Sequence, residues 1–416
     1  DIAPTVLNFF GLSDATRTMI GQPMVAKPAG DADTLQQARH IDDQASIVNR
    51  IRVPLNKGYV VLQIILILLG LLTIFAQKRM SQVVQRLLVL LVTVPLVLLV
   101  LGRLTLPCDW LYMVVAVAAS VLLNILVVRA CRGDAYQAFI ITGICTIVLL
   151  DIDLFTGTTM IQSSVLGYDP MAGARYYGIG NEYMGILLGS VIAVAATIYH
   201  RYRRRWLLAA IGAFFLLQCY LIAGPMLGAN SDGILTVPAA FLVTIFLLAD
   251  IRIKPRYVLL MGLIILIGIL GITWYDMHRP VEMQSHIGRA ANLMAAGGWQ
   301  EGLTIISRKL AMNLKLIRYT IWSWVFIVIL LVLSILVYRP VGLMKQLMQR
   351  YPYIVKGFAG TITGALVGLV VNDSGIVAAA TTSIYLVVPI LILMLHLKCI
   401  GSPAEGGDKW HIIDDV

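Results

Sequence analysis

Hydrophobic residues in this chain come in long, nearly unbroken runs, not in the short alternating or one-sided patterns of a soluble fold. From Tyr59 onward eleven runs occupy residues 59–77, 87–102, 110–128, 136–155, 181–199, 206–224, 234–249, 257–275, 319–338, 357–371 and 376–397. Each is long enough, or nearly so, to cross a hydrocarbon core of about 30 Å as a helix rising about 1.5 Å per residue. The pattern predicts an all-α polytopic membrane protein with about 11 transmembrane helices. Polar residues gather elsewhere. Residues 1–12 predict a short amphipathic helix with Pro4 near its start and Gly11 as its stop. Residues 25–57 predict a linker or surface segment, 58–398 the membrane domain and 399–416 a polar tail. The long loop 276–318 contains an amphipathic stretch, residues 303–316, in which Ile305, Ile306, Leu310, Met312 and Leu316 alternate with Arg308, Lys309, Asn313 and Lys315. This stretch is expected to lie along the interface, with Lys309 and Lys315 as anchors near lipid headgroups.

Composition agrees: 59% of residues are hydrophobic and 13% charged, against about 25% charged in soluble domains. The net charge of +10 is no nucleic-acid signal, because most of the surplus sits in short loops between apolar runs. Lys78, Arg79 and Arg86 follow the first run, Arg129 and Arg132 the third, residues 200–205 the fifth, and Arg252, Lys254 and Arg256 the seventh. Arg339, Lys345, Arg350 and Lys356 follow the ninth, and Lys398 closes the last. The positive-inside rule makes these alternate loops cytoplasmic, with the N-terminus outside and the C-terminus in the cytoplasm. The loop 276–318 carries six basic residues on the outer side, but its length weakens the rule there. Cys108, Cys131, Cys145, Cys219 and Cys399 show no paired spacing, so neither a disulfide framework nor a zinc site is indicated.

On this topology the unusual polar motifs share the outer side. The stretch from Gly173 to Gly189 brings Arg175, Asn181 and Glu182 to the start of the fifth run, with Gly178 and Gly180 freeing the backbone just before it. Unpaired helix-start amides there suit an anion, and an ionisable residue at the boundary is a functional candidate. A glycine-hinged helix start whose Glu182 merely complements the dipole is the alternative. Asp151 and Asp153 end the fourth run. Asn230-Ser-Asp232-Gly-Ile joins runs six and seven, and Asn372-Asp373-Ser374-Gly-Ile joins ten and eleven, as in a weak internal repeat. Because runs seven and ten are short, these breaks are expected to be recessed, which is tolerated where backbone lines a cavity. Ordinary tight turns of Asn, Asp, Ser and Gly would read the same way. His286 and Arg289 in the long loop suit a phosphate or pyrophosphate. Asn124 and Gln218 are expected to hydrogen-bond between helices, and Gly360, Gly364 and Gly368 to let another helix approach closely. The cytoplasmic loops carry nothing comparable.

Two resemblances add to this reading. Asp1-Ile-Ala-Pro-Thr-Val-Leu-Asn-Phe-Phe-Gly11, followed by Gly21-Gln-Pro-Met24, resembles the C-terminal end of the catalytic domain in the alkaline phosphatase superfamily, which includes sulfatases, phosphoglycerate mutases and phosphoethanolamine transferases. It implies that residues 1–24 are a remnant of an α/β phosphatase-like domain on the outer face. The chain opens at Asp1 with no signal segment and reads as a fragment or processed product of something longer. The family's nucleophile and divalent metal ligands would lie upstream, so no cofactor or metal is expected in this chain and none of the family's catalytic residues can be carried over. The Arg-Tyr-Tyr-Gly-Ile-Gly-Asn-Glu-Tyr and Asn-Asp-Ser-Gly-Ile motifs resemble those of the multi-span half of bacterial membrane proteins bearing an extracytoplasmic phosphatase-like domain. An architectural analogy is with GPI ethanolamine-phosphate transferases, whose membrane part receives lipid substrate.

Three functions remain open. The domain presents a phosphorylated or lipid-linked envelope substrate to an outer hydrolase or phosphotransferase domain; it is a transporter or flippase; or it is itself a glycan polymerase or ligase. The candidate catalytic residues are Glu182, Asp232 and Asp373. The candidate binding residues are Arg175, Gly178, Gly180, Asn181, Asn230, Asn372, Ser374, His286 and Arg289. Membrane lipids are the expected partners, nucleic acid is not, and the bacterial inner membrane is the expected location. The nearly wholly apolar cytoplasmic halves of the runs argue for a site open to one side.

Overall fold

The computed structural model describes residues 2–12, 23–26, 28, 33–76, 80–168, 171, 177–225, 227–279, 284, 292, 299–339 and 341–400. Every regular element among them is a helix. In order these are α1 (Ile2–Phe9), α2 (Thr34–Phe75), α3 (Ser81–Leu88), α4 (Leu90–Leu101), α5 (Asp109–Ala130), α6 (Ala135–Phe155), α7 (Thr159–Gln162) and α8 (Asn181–Tyr202). Then follow α9 (Arg205–Ala223), α10 (Gly233–Leu248), α11 (Pro255–Met277), α12 (Trp299–Tyr319), α13 (Trp322–Tyr338), α14 (Val341–Arg350), α15 (Pro352–Val371) and α16 (Gly375–Ile400). Nine helices among the described residues, counting α3 with α4 as one, are long and apolar enough to cross a membrane. The two remaining predicted spans are the 16-residue α10 and the 17-residue α13, the latter bent by 78° from the end of α12.

Several expectations need adjusting. The stretch expected as a linker is helical from Thr34, continuous with the first span through Pro54. Run ten is not short. Helix α15 starts at Pro352 and takes in Lys356, so its 20 residues reach about 30 Å. Only α10, at about 24 Å, keeps the predicted shortfall. At the N-terminus α1 ends as foreseen: Gly11 takes φ 74°, while Leu12 N–H donates to Leu7 O and Gly11 N–H to Asn8 O, a glycine-terminated helix end. Met24 N–H donates to Thr5 Oγ1, 2.8 Å. No strand accompanies this segment among the described residues, so an α/β remnant gains no support from the fold.

The bundle is centred on α16, buried along its whole apolar length, whereas α11 is almost wholly exposed, as a lipid-facing helix would be. Small residues decide which helices touch the centre. A Cβ on Gly185 would fall 2.1 Å from Thr381 Oγ1, and one on Gly189 would fall 2.6 Å from Tyr385 Cβ, so α8 meets α16 nearly backbone to backbone. The glycine face of α15 works as predicted, and it meets α8, α10 and, at Gly368, Ala378 of α16. Gly360 faces Thr244 of α10 and Gly364 lies between Leu188 of α8 and Ala240 of α10. Gly357 adds contact with Ala196 of α8. The expected interhelical polar contacts also form: Gln218 donates to Asp151 Oδ2 (2.7 Å) and Asn124 to Arg86 O (3.3 Å).

Packing this tight predicts that Gly360→Leu lowers stability by about 1–3 kcal/mol or more, because its first carbon already overlaps Thr244. Gly262→Leu on α11, where a Cβ meets nothing within 4 Å, should change nothing. Thermal unfolding of both variants in detergent distinguishes the outcomes, and equal melting temperatures would refute the packing argument.

Candidate functional site

Three helices begin at one place. Helices α8, α10 and α16 start at Asn181, Gly233 and Gly375, each directly after one of the predicted polar motifs. A helix leaves its first N–H groups unpaired and carries a positive partial charge at that end. Bringing three such ends together within a membrane protein requires polar partners for them.

Asn181 provides the link. Its carboxamide pairs reciprocally with Asn372, donating to Oδ1 (2.9 Å) and accepting from Nδ2 (3.0 Å). Asn230 also donates to Asn181 Oδ1 (3.2 Å) and to Ile179 O (3.0 Å). Asn230 Oδ1 in turn accepts from the N–H groups of Asp232 (3.2 Å) and Gly233 (2.8 Å), capping α10. Asn181 further donates to Ser374 Oγ and, at 3.5 Å, to Asp373 Oδ1. The two Asn-Asp-Ser-Gly breaks thus hang on one side chain from opposite sides. Asn230 and Asn372 are buried, at 2% and 1% exposure, so their amides have no solvent to fall back on.

The loops before α8 and α10 cross in backbone contact. Ile179 N–H donates to Gly228 O (2.8 Å), and Gly178 takes φ 82° with its missing Cβ only 2.2 Å from that oxygen. Only glycine fits there. Gly180 flanks α8, and a Cβ on it would lie 3.5 Å from Glu182 Oε2.

Two cations sequence reasoning assigned elsewhere belong to this end. Lys309, expected as an interfacial anchor, forms an ion pair with Asp232 Oδ1. Asn313, one turn on, donates to Leu369 O, and these two contacts lay the otherwise exposed α12 over the breaks. Burial pushes the Asp232 carboxyl above its usual range. Lys309 opposes that shift, and the neighbouring Asp373 carboxylate adds to it. Arg52, on the helical segment taken for a linker, donates to Gly167 O (2.6 Å) and Tyr168 O (2.8 Å), and its charge acts on Glu182. The available signal was position: Arg52 stands seven residues, about two turns, before the first apolar run.

Of the predicted site residues, Gly178, Gly180, Asn181, Asn230, Asp232, Asn372, Asp373 and Ser374 come together, with Glu182 beside them on the first turn of α8. Arg175, His286 and Arg289 lie outside the described residues. Asp153 is a cap: its carboxylate accepts from the N–H groups of Met160 (2.8 Å) and Ile161 (2.9 Å) at α7. No group of three or more His, Cys, Asp or Glu among the described residues is placed to hold a metal ion, so Glu182, Asp232 and Asp373 do not form a cation site together. No family model, curated protein or solved structure matches this chain significantly. The site therefore rests on its own chemistry.

Removing the hub tests its role. Asn181→Ala leaves the buried amides of Asn230 and Asn372 short of a partner, at a cost of about 1–3 kcal/mol for each group left unmade. Thermal unfolding should show a clear loss for Asn181→Ala and none for Arg50→Gln, which breaks the exposed Arg50–Asp109 pair. An unchanged Asn181→Ala melting temperature would contradict the hub.

Proposed function

We propose that this domain binds the anionic, phosphate-bearing head of an envelope substrate at the Asn181 end and presents it to an extracytoplasmic phosphatase- or phosphotransferase-like domain. The observation that carries the reading is the meeting of three helix N-termini beside Lys309 and Arg52. Each N-terminus contributes roughly half a positive charge. Oriented amides with two side-chain cations form a field suited to phosphate oxygens. Asp232 holds Lys309, and the main-chain carbonyls of Gly167 and Tyr168 hold Arg52. Both cations are thus positioned by contacts within the protein. By the positive-inside rule this end faces outward from a bacterial inner membrane, the side on which the phosphatase-like resemblance of residues 1–24 also falls.

Transport is the second reading, and one feature favours it. Paired interrupted helices whose N-termini face a common point are how many transporters hold anionic substrates. Against it, α15 spans fully before its break, so at least that break lies at one end of the bundle and not at mid-depth.

Binding tests the proposal. Titrating the purified chain with inorganic pyrophosphate and a polyprenyl diphosphate should raise its melting temperature. Lys309→Gln and Arg52→Gln should each weaken that binding about tenfold or more, equivalent to about 1.4 kcal/mol. Lys315→Gln, on the same helix as Lys309, should not. If neither probe binds, or both variants bind like the parent chain, the assignment fails.

A further inference from the structure

A carboxyl group within a membrane span marks a functional candidate, and Asp151 is one that the Asn181 end does not use. It lies on α6 four residues, about 6 Å, before Phe155. Its neighbours Val148 and Ile152 are 48% and 49% exposed, so this part of α6 faces lipid. Gln218, wholly buried on α9, donates from Nε2 to Asp151 Oδ2 (2.7 Å). No lysine or arginine pairs with Asp151 among the described residues, and Gln218 is the side chain that acts on it. On α6 itself, Asp153 is bound to the α7 amides. The charged groups at this end of the helices packed against α6 are Arg103 after α4, Asp109 on α5, Glu182 on α8 and Asp373 before α16, and none acts on Asp151. Neither do the phenols of Tyr112, Tyr183 and Tyr220 or the thiol of Cys219.

One donor is missing here. Asp151 Oδ1 and Gln218 Oε1 are both buried, and both lack a partner. A carboxylate offers only acceptors, so two unpaired acceptors share one polar spot in an apolar wall. A single proton satisfies both. The neutral carboxyl donates from Oδ1–H to Oε1 while Oδ2 keeps the bond from Nε2, an acid–amide counterpart of the reciprocal Asn181–Asn372 pair. A lone carboxylate in an apolar setting gives up its charge in the same way. A metal ion fits less well, because no group of three or more His, Cys, Asp or Glu among the described residues is placed to hold one. The position gives the proton a consequence. Among the described residues this is the one side-chain hydrogen bond between α6 and α9. Past α9, Gly228 N–H folds back to Leu221 O (2.8 Å) and Asn230 N–H to Ile222 O (3.0 Å). Past α6, Thr158 N–H donates to Asp153 O (2.7 Å), and Thr158 Oγ1 accepts from Gly178 N–H (3.3 Å). The crossing of Ile179 with Gly228 is therefore tethered to the two helices that Asp151 and Gln218 join.

We propose that Asp151 is a proton-binding site, its neutral carboxyl paired with Gln218 and releasing the proton to solvent as pH rises. The O–H bond breaks, its electron pair stays on Oδ1, and no other covalent bond changes. Release sets two acceptors against each other, parts α6 from α9 and loosens the crossed loops. Nothing in this depends on what binds at Asn181. The test is infrared difference spectroscopy of the full chain in lipid nanodiscs, parent against Asp151→Asn. At neutral pH the parent should show a protonated-carboxyl carbonyl band that Asp151→Asn lacks and that fades as pH rises. Asp109→Asn, at an exposed carboxylate, should keep the band. Gln218→Leu should shift it to higher frequency, because Oδ1–H loses its acceptor. Asp151→Asn retains a reciprocal amide pair, so its melting temperature should match that of the parent. Amide exchange over residues 227–230, corrected for its intrinsic pH dependence, should rise several-fold in the parent as the band fades and stay level in Asp151→Asn. No band at neutral pH, a band that persists at every pH where the chain stays folded, or an unshifted band in Gln218→Leu would each overturn the proposal. So would a clear stability loss in Asp151→Asn, or loop exchange that does not follow the band.

Discussion

Inside a bilayer a helix can break only where its freed polar groups find partners in the protein, and here that requirement converges on the carboxamide of Asn181. An asparagine offers both donors and an acceptor with two lone pairs, so it can close a reciprocal pair with Asn372 and still accept from Asn230. A carboxylate in its place would lose every donated bond, and a serine could not span both breaks. The starts of α8, α10 and α16 are thereby held at a common level. The glycine contacts farther along depend on that level. Gly185 can meet Thr381, and Gly360 Thr244, only if these helices keep their vertical register. Polar pairing at one end and backbone-close packing along the shafts are two parts of a single arrangement.

This accounts for what was legible in the sequence. A span facing lipid and a span facing other spans both need apolar side chains, so the runs marked the helices whichever way each faced. The Gly-Asn-Glu and Asn-Asp-Ser-Gly motifs stood out because turn formers are costly at membrane depth unless paired. Other features could not be read. Helix α15 looked short because Lys356 ended its apolar run, yet that side chain turns toward Asp250 at the helix edge while its stem stays with the helix. Residues 34–57 carry no strong apolar stripe, so nothing in their pattern separated a polar helix from a linker. Lys309 and Arg52 were assigned to a surface because contacts across some 77 and 115 positions leave no local trace. Which spans neighbour α16 was equally hidden, since small-residue faces say that a helix can approach closely, not which one does.

The two ends of the bundle satisfy their charges in different ways, and that difference bears on what each can do. At the Asn181 end the polar side chains are short and mutually paired, so the geometry is held in place before any ligand arrives. At the other end the cations are long arginines brought together from the ends of separate helices. The first arrangement suits selection by shape and direction, because short, mutually paired side chains leave little freedom.

The electrostatics of the Asn181 end also constrain how an anion could enter. Three helix N-termini, Lys309 and Arg52 make the region positive, while Glu182, Asp232 and Asp373 supply compensating charge. The near balance suits an empty site that must not hold two unpaired lysine or arginine charges in a low dielectric. Burial disfavours the charged form of Asp232, which lowers the cost of neutralising it. On the proposed reading, an arriving phosphate would compete with Asp232 for Lys309, and Asp232 would yield by taking up a proton. Lys309 and Asn313 are the side chains that tie α12 across the breaks, so exchanging the partner of one of them alters how that helix is held. On the proposed phosphate-binding reading, occupancy of the site and the hold on α12 would be coupled through the Lys309 ammonium group.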